Sequence, residues 1–314
     1  MLNKALFLDF KEGDIEQKYF DRLTKLFNTY ELSSKDNPKF FDSLKDTDVI
    51  LAKMGAVVDR EIIDAAPNLK FITIPSTGFS SIDISHAREK NITVSNIGGY
   101  STESVAEFFF AVLFAQVREL EKAREQVKNE DYSYDKFMGT DLCGKTLGVV
   151  GAGRIGSRII EIGLGLGMKV IYSSRSNKPE LDAKGAVKKE LVEVLSQSDV
   201  VTLRLALNSE TQGMISKEKI ALLKKGCIFV SLVPPQIVDQ EAVMERAKNG
   251  DITFIFDHSD DIDSALAKRF LDTPNCIVYP PVAFKTFEAN MTKWETFISN
   301  IEMFEKGTPQ NVVN

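Results

Sequence analysis

Residues 146–178 read TLGVVGAGRIGSRIIEIGLGLGMKVIYSSRSNK, and no other stretch limits the possible folds as much. Leu147–Val150 is a short apolar run ending at a glycine, the pattern of a buried strand. Gly151, Gly153 and Gly156 then spell G-x-G-x-x-G, and Ile155, Ile159, Ile162 and Leu166 recur at helical spacing. A helix therefore opens inside the glycine motif, with Arg154 and Ile155 in its first turn. Val170–Ser173 is a second strand. Strand, glycine turn, helix, strand is the setting in which this motif binds a dinucleotide; an ordinary glycine-rich turn shares only the glycines. Each glycine has its own reason. Gly151 permits the tight turn, Gly153 lets the backbone approach a pyrophosphate, and Gly156 lets helix and strand pack closely. The helix N-terminus adds free N–H groups and partial positive charge.

The end of the second strand bears on which dinucleotide is bound. NAD-binding units place an Asp or Glu about 20 residues past the glycines, on the ribose 2′-hydroxyl. Here that position holds Ser174, followed by Arg175, Ser176, Asn177 and Lys178. The local sequence has no carboxylate to repel a 2′-phosphate, and it has a guanidinium suited to bind one. NADP(H) is expected over NAD(H). The alternative is a solvated basic turn, with NAD(H) held by the serine hydroxyls.

The chain has 314 residues, enough for two domains with cores of their own. Its net charge of −6 argues against a nucleic-acid-binding surface. The most apolar helical stretch, Val105–Val117, carries Glu107 and Gln116 and is too short to span a bilayer. The opening MLNKALFLDFKEGD is too short an apolar run for a signal peptide. Cys143, Cys227 and Cys276 lack metal-ligand spacing and are expected as reduced core cysteines of a cytoplasmic protein, with no metal site.

Residues 1 to about 95 form a second, smaller α/β pattern. Its expected strands are Ala5–Phe10, Asp48–Ala52, Phe71–Ile74 and Ile92–Val94; its expected helices are Asp14–Asn28, Asp59–Ala66 and Ile82–Glu89. Lys53 and Ser76-Thr77-Gly78 each follow a strand's C-terminal end, where open α/β sheets bind ligands. Ser101 is the expected N-cap of one long helix through Arg118 and Glu121. Beyond the glycine unit, strands at Val200–Leu203, Ile228–Leu232, Ile252–Phe256 and Ile277–Tyr279 alternate with two helices. One is capped by Ser216 and runs to Lys225, the other is capped by Asp239 and runs to Asn249, and Gly226 and Gly250 stop them. This predicts a doubly wound parallel sheet of about six or seven strands. The last helix, Thr286–Lys306, lies beyond that sheet and is expected to return to the first domain. The fold class is α/β with two domains.

Five segments carry a family resemblance: STGFSSIDISHAREKNITVSN, STESVAEFFFAVLFAQVREL, DLCGKTLGVVGAGRIG, DVVTLRLALNSETQGMISKEKIALLKKGCIFV and IVDQEAVMERAKNGDI. In order, spacing and residue type the chain resembles the D-isomer-specific 2-hydroxyacid dehydrogenases over nearly its whole length. The resemblance implies a Rossmann-type domain, residues 99–286, inserted into a smaller flavodoxin-like substrate domain, residues 1–98 and 287–314. It implies a homodimer, an active site in the cleft between the domains, and hydride transfer between a nicotinamide and the carbonyl carbon of a 2-keto acid. It adds Leu232, Val233 and Asp257 to the cofactor contacts and assigns Ser76, Thr77 and Gly78 to substrate. In this family an arginine grips the substrate carboxylate, and a histidine tuned by a carboxylate moves the proton.

The chain departs from the family where that chemistry should sit. The arginine position holds Pro234 and the histidine position Pro281, and the supporting carboxylate falls among Asp260, Asp261 and Asp263. Proline can neither donate a proton nor hold a carboxylate. One expectation is therefore an NAD(P)-dependent oxidoreductase with a rebuilt site acting on a small carbonyl-type substrate. Replacement groups would come from Lys53, an anion anchor by position, from Tyr100 near the domain hinge, or from His258. The surface helix expected to carry His86 makes that histidine a poorer candidate. The other expectation is a non-catalytic dinucleotide-binding sensor or scaffold, by analogy with corepressors related to this family.

Overall fold

The structure, a computed structural model, describes residues 2–314 and divides into two compact units. The first comprises Met1–Tyr100 with Thr286–Asn314, and the second Ser101–Lys285.

The sheet of the first unit contains β1 (Leu2–Leu8), β2 (Phe27–Ser33), β3 (Val49–Ala52), β4 (Phe71–Thr73) and β5 (Thr93–Ser95). They are all parallel, in the order β2-β1-β3-β4-β5, the flavodoxin-like winding. Central strands read as apolar runs because both faces are covered. Leu6, Leu8, Ile50, Ala52, Ile72 and Val94 pack on one side, while Ala5, Phe7, Val49, Leu51 and Phe71 pack on the other. Helix Phe287–Glu305 covers that second face with Trp294, Phe297, Ile298 and Ile301, and the Phe304 ring stacks on Phe71 at 4.3 Å. The Thr286 hydroxyl caps this helix by accepting from the Ala289 N–H.

Two expectations for this unit are corrected. The Asp14–Asn28 helix is confined to Gln17–Thr24, and β2 follows it. As an edge strand β2 buries only Phe27 and Ser33 fully, so it shows no strong apolar pattern. His86 is buried rather than at the surface, with Nε2 2.9 Å from Asp64 and Nδ1 3.1 Å from Glu89.

The second unit holds β6 (Thr146–Val150), β7 (Lys169–Ser173), β8 (Val187–Lys188), β9 (Val200–Leu203), β10 (Cys227–Ser231), β11 (Ile252–Phe256) and β12 (Cys276–Val278). These seven strands are parallel, in the order β12-β11-β10-β9-β6-β7-β8. This is the Rossmann winding with an added outer strand. The chain moves outward from β6 through β7 and β8, then crosses back to β9, so the switch point lies between β6 and β9.

The long helix expected after Ser101 is two helices, Thr102–Val117 and Leu120–Lys128, with Glu119 left-handed between them at φ 50°. The first buries Phe109, Phe110 and Leu113; the second has no buried residue, so no packing extends the first helix across the break. Ser101 precedes the helix but makes no side-chain cap bond to it. Ser216 likewise does not cap its helix and donates instead to Glu218, and that helix stops at Ala221. Asp239 does cap, accepting from Ala242 at 3.0 Å. Of the cysteines only Cys227 is buried. Cys276 is half-buried and Cys143, on the loop before β6, is exposed, which corrects the expectation of three core thiols.

Candidate dinucleotide and acid–base site

The C-terminal ends of the second sheet's strands gather most of the residues singled out above. Gly151 ends β6 at φ +100°, a backbone state that side chains rarely adopt. A Cβ at Gly156 would collide with the Gly151 carbonyl oxygen, so the helix Arg154–Gly165 sits against the turn only because Gly156 lacks one. Gly153, the N-cap, faces open space, with nothing within 4 Å of a Cβ built there. These are the turn, the close packing and the open approach that a dinucleotide pyrophosphate requires, and the residues present fit that group.

At the end of β7, Ser174 is half-buried and Arg175 is 89% exposed. The structure corrects the expectation of a carboxylate-free turn. Glu210, from the loop after β9, pairs with Arg175 at 3.1 Å. The two lie 35 residues apart, so the local sequence could not show the contact. An exposed pair of this kind is worth about 0–1 kcal/mol.

Past β10, Leu232 and Val233 are buried, and Pro234 breaks the backbone before a short 3₁₀ turn. Past β11, Asp257 is 2% exposed, and its carboxylate accepts from His258 Nδ1 at 2.8 Å. Burial pushes the His258 pKa down, but the hydrogen bond and the negative charges of Asp257, Asp261 and Asp260 outweigh it, and the net shift is upward. Asp260 and Asp261 thus act on His258 through space. Asp263 instead caps the helix Ser264–Leu271, accepting from Leu266 at 2.8 Å. The pair is a histidine oriented by a buried carboxylate, leaving Nε2 to give or take a proton.

Arg204, one residue past β9, escapes the sequence reading. Its Nη1 donates to the Leu232 carbonyl at 3.2 Å, whereas Nε and Nη2 are buried without a hydrogen-bond partner. Burial draws its pKa down to about 10, against the attraction of Asp257, so it stays charged at neutral pH. A signal was present: an arginine directly after an apolar strand, the criterion that singled out Lys53.

In the first unit Lys53 follows β3, but its ammonium is already held by Asp14 at 2.7 Å. Ser76 is buried and donates to the Gly78 carbonyl; the Thr77 carbonyl accepts from Asn96 at 2.7 Å. Tyr100 packs on the Phe7–Trp294 cluster.

The family model for the D-isomer-specific 2-hydroxyacid dehydrogenase NAD-binding domain matches residues 110–283. A glyoxylate reductase from Thermococcus litoralis is 31% identical over 304 residues, covering 91% of each chain. The chain belongs to the D-isomer-specific 2-hydroxyacid dehydrogenase family. Another member, a hydroxypyruvate reductase from Blautia hydrogenotrophica, is 29% identical over 96% of both chains. The D-lactate dehydrogenase of Aquifex aeolicus, solved with NAD and lactic acid, is 29% identical and superimposes with a TM-score of 0.85, covering 97% of this chain and 96% of that one.

Proposed function

We propose that this family member is an NADP(H)-preferring oxidoreductase that reduces a small carbonyl-type substrate, with His258 as its acid–base residue. The Asp257–His258 hydrogen bond carries this reading, because it restores a carboxylate-tuned imidazole to a chain whose family position for histidine is proline. When bound, the nicotinamide supplies or accepts the hydride. The residues of the chain do the rest. Gly153 and the helix N-terminus would receive the pyrophosphate, Leu232 and Val233 would line the cofactor, and Asp257 fixes His258 as donor at Nδ1. Protonated His258 then gives its Nε2 proton to the oxygen of the carbonyl being reduced. Arg175, 89% exposed and tied only by a surface pair to Glu210, supports the preference for a 2′-phosphate, with Ser174 beside it. A homodimer goes with this reading, supported by the exposed Tyr132, Tyr134 and Met138 of the second unit.

The test is the pH profile of reduction, with glyoxylate and hydroxypyruvate as first substrates. His258 must be protonated to act, so kcat/KM is expected to fall as pH rises through a value above the ordinary 6.5. His258→Gln is expected to lose that limb and about 10²–10⁴-fold in rate. An unchanged profile in the variant removes His258 from the chemistry. Pro234 and Pro281 favour the second reading, a non-catalytic dinucleotide sensor. That reading takes over if the protein binds NADPH tightly and no carbonyl compound oxidises it.

A further inference from the structure

We propose that Arg204 holds the carboxylate of the substrate, supplying from the end of β9 the guanidinium that position 234 lacks. The proposal rests on the oxidoreductase reading for its substrate, but its residues stand on geometry alone. Arg204 sits at the switch point. Its N–H donates to the Val150 carbonyl at 2.7 Å, and its own carbonyl packs against Gly151. The side chain reaches to β10, where Nη1 is anchored on Leu232, two residues before Pro234.

That anchor leaves Nε and Nη2, the two nitrogens along one edge of the guanidinium plane, buried and unpartnered. This edge forms the fork that takes both oxygens of a carboxylate. Asp257 does not fill it, since its carboxylate is bonded to His258 and acts on Arg204 only through space. A buried charge short of hydrogen bonds is destabilising unless a ligand completes it. The occupant is a carboxylate rather than the cofactor's pyrophosphate, because the pyrophosphate cradle is at Gly153, whereas the guanidinium is anchored on the β10 side of the switch point.

The test titrates oxamate, a small carboxylate resembling a 2-oxo acid, into the full-length protein saturated with NADPH, by calorimetry. Free protein is titrated with NADPH in parallel. Arg204→Met is expected to weaken oxamate binding about a hundredfold and to leave NADPH affinity unchanged. Arg204→Lys, which keeps the charge but loses the fork, should fall between. Because the parent guanidinium is under-bonded, the Met variant should melt no lower than the parent. The proposal is overturned if wild type binds no oxamate, if the Met variant binds it equally well, if NADPH affinity falls instead, or if the variant melts well below the parent. Wild type that binds oxamate through Arg204 yet never oxidises NADPH sinks the hydride-transfer reading and leaves the anion site standing.

Discussion

His86 shows how one side chain ties its surroundings to pH. Both ring nitrogens face carboxylates, so the doubly protonated ring suits the site. Hydrogen bonds to Asp64 and then Glu89 raise its pKa above the ordinary 6.5, against burial. Asp64, held by Lys90 and then His86, is lowered from 3.8 to about 2. The signs follow from linkage. Stabilisation through His86 is complete below 6.5 and is lost as pH rises through its raised value. Stabilisation through Asp64 is complete above 3.8 and is lost as pH falls toward 2. The difference in melting temperature between wild type and His86→Gln should therefore be greatest between those ordinary values and shrink in alkali. A difference that does not vary with pH would contradict the ion-pair account. The helix itself was legible in the sequence. The burial of His86 was not, because Asp64 comes from a different helix.

At the scale of elements, the glycine turn separates folding from binding. A methyl at Gly156 meets the backbone oxygen of Gly151, which cannot move aside as a flexible side chain would. Gly156→Ala is expected to cost about 1–3 kcal/mol in a urea unfolding titration. Gly153→Ala has open space around its methyl, and as an N-cap change it should cost no more than about 1 kcal/mol. Yet that methyl occupies the pyrophosphate's approach, so NADPH affinity should fall sharply in a protein that unfolds almost normally. NADPH binding as tight as wild type would place the pyrophosphate elsewhere. Elements with strong short-range signals, such as β6, β9, β11 and the Asp239-capped helix, stand close to where periodicity and capping put them. β2 was hidden because an edge strand needs little apolar surface. The break at Glu119 was hidden because burial ceases there and no glycine or proline marks the place.

At the scale of the whole molecule, the proposed preference for NADP(H) would be a balance of surface charges on a chain of net charge −6. Arg175 must leave Glu210 to meet a 2′-phosphate. Glu210→Gln should therefore tighten NADPH binding severalfold, while Arg175→Ala should abolish the preference over NADH and reduce its salt dependence. Thermal shift gives an independent readout. A dinucleotide at a hundred times its Kd stabilises the native state by about 2.7 kcal/mol, so the preferred one raises the melting temperature more at equal concentration. Equal shifts from NADPH and NADH would count against the reading of the Ser174–Arg175 turn.

The sequence by itself determined the two α/β patterns, the dinucleotide turn and the prolines at 234 and 281. These depend on neighbours within a few residues: glycine's backbone freedom, helical and strand periods, and the chemistry of a named side chain. Only the tertiary structure decided that Glu210 reaches Arg175, that Asp257 is buried against His258, and that Arg204 carries its charge unpartnered into the switch point. Partners and desolvation are set by elements far apart in the chain, and only the wound sheet brings those strand ends together.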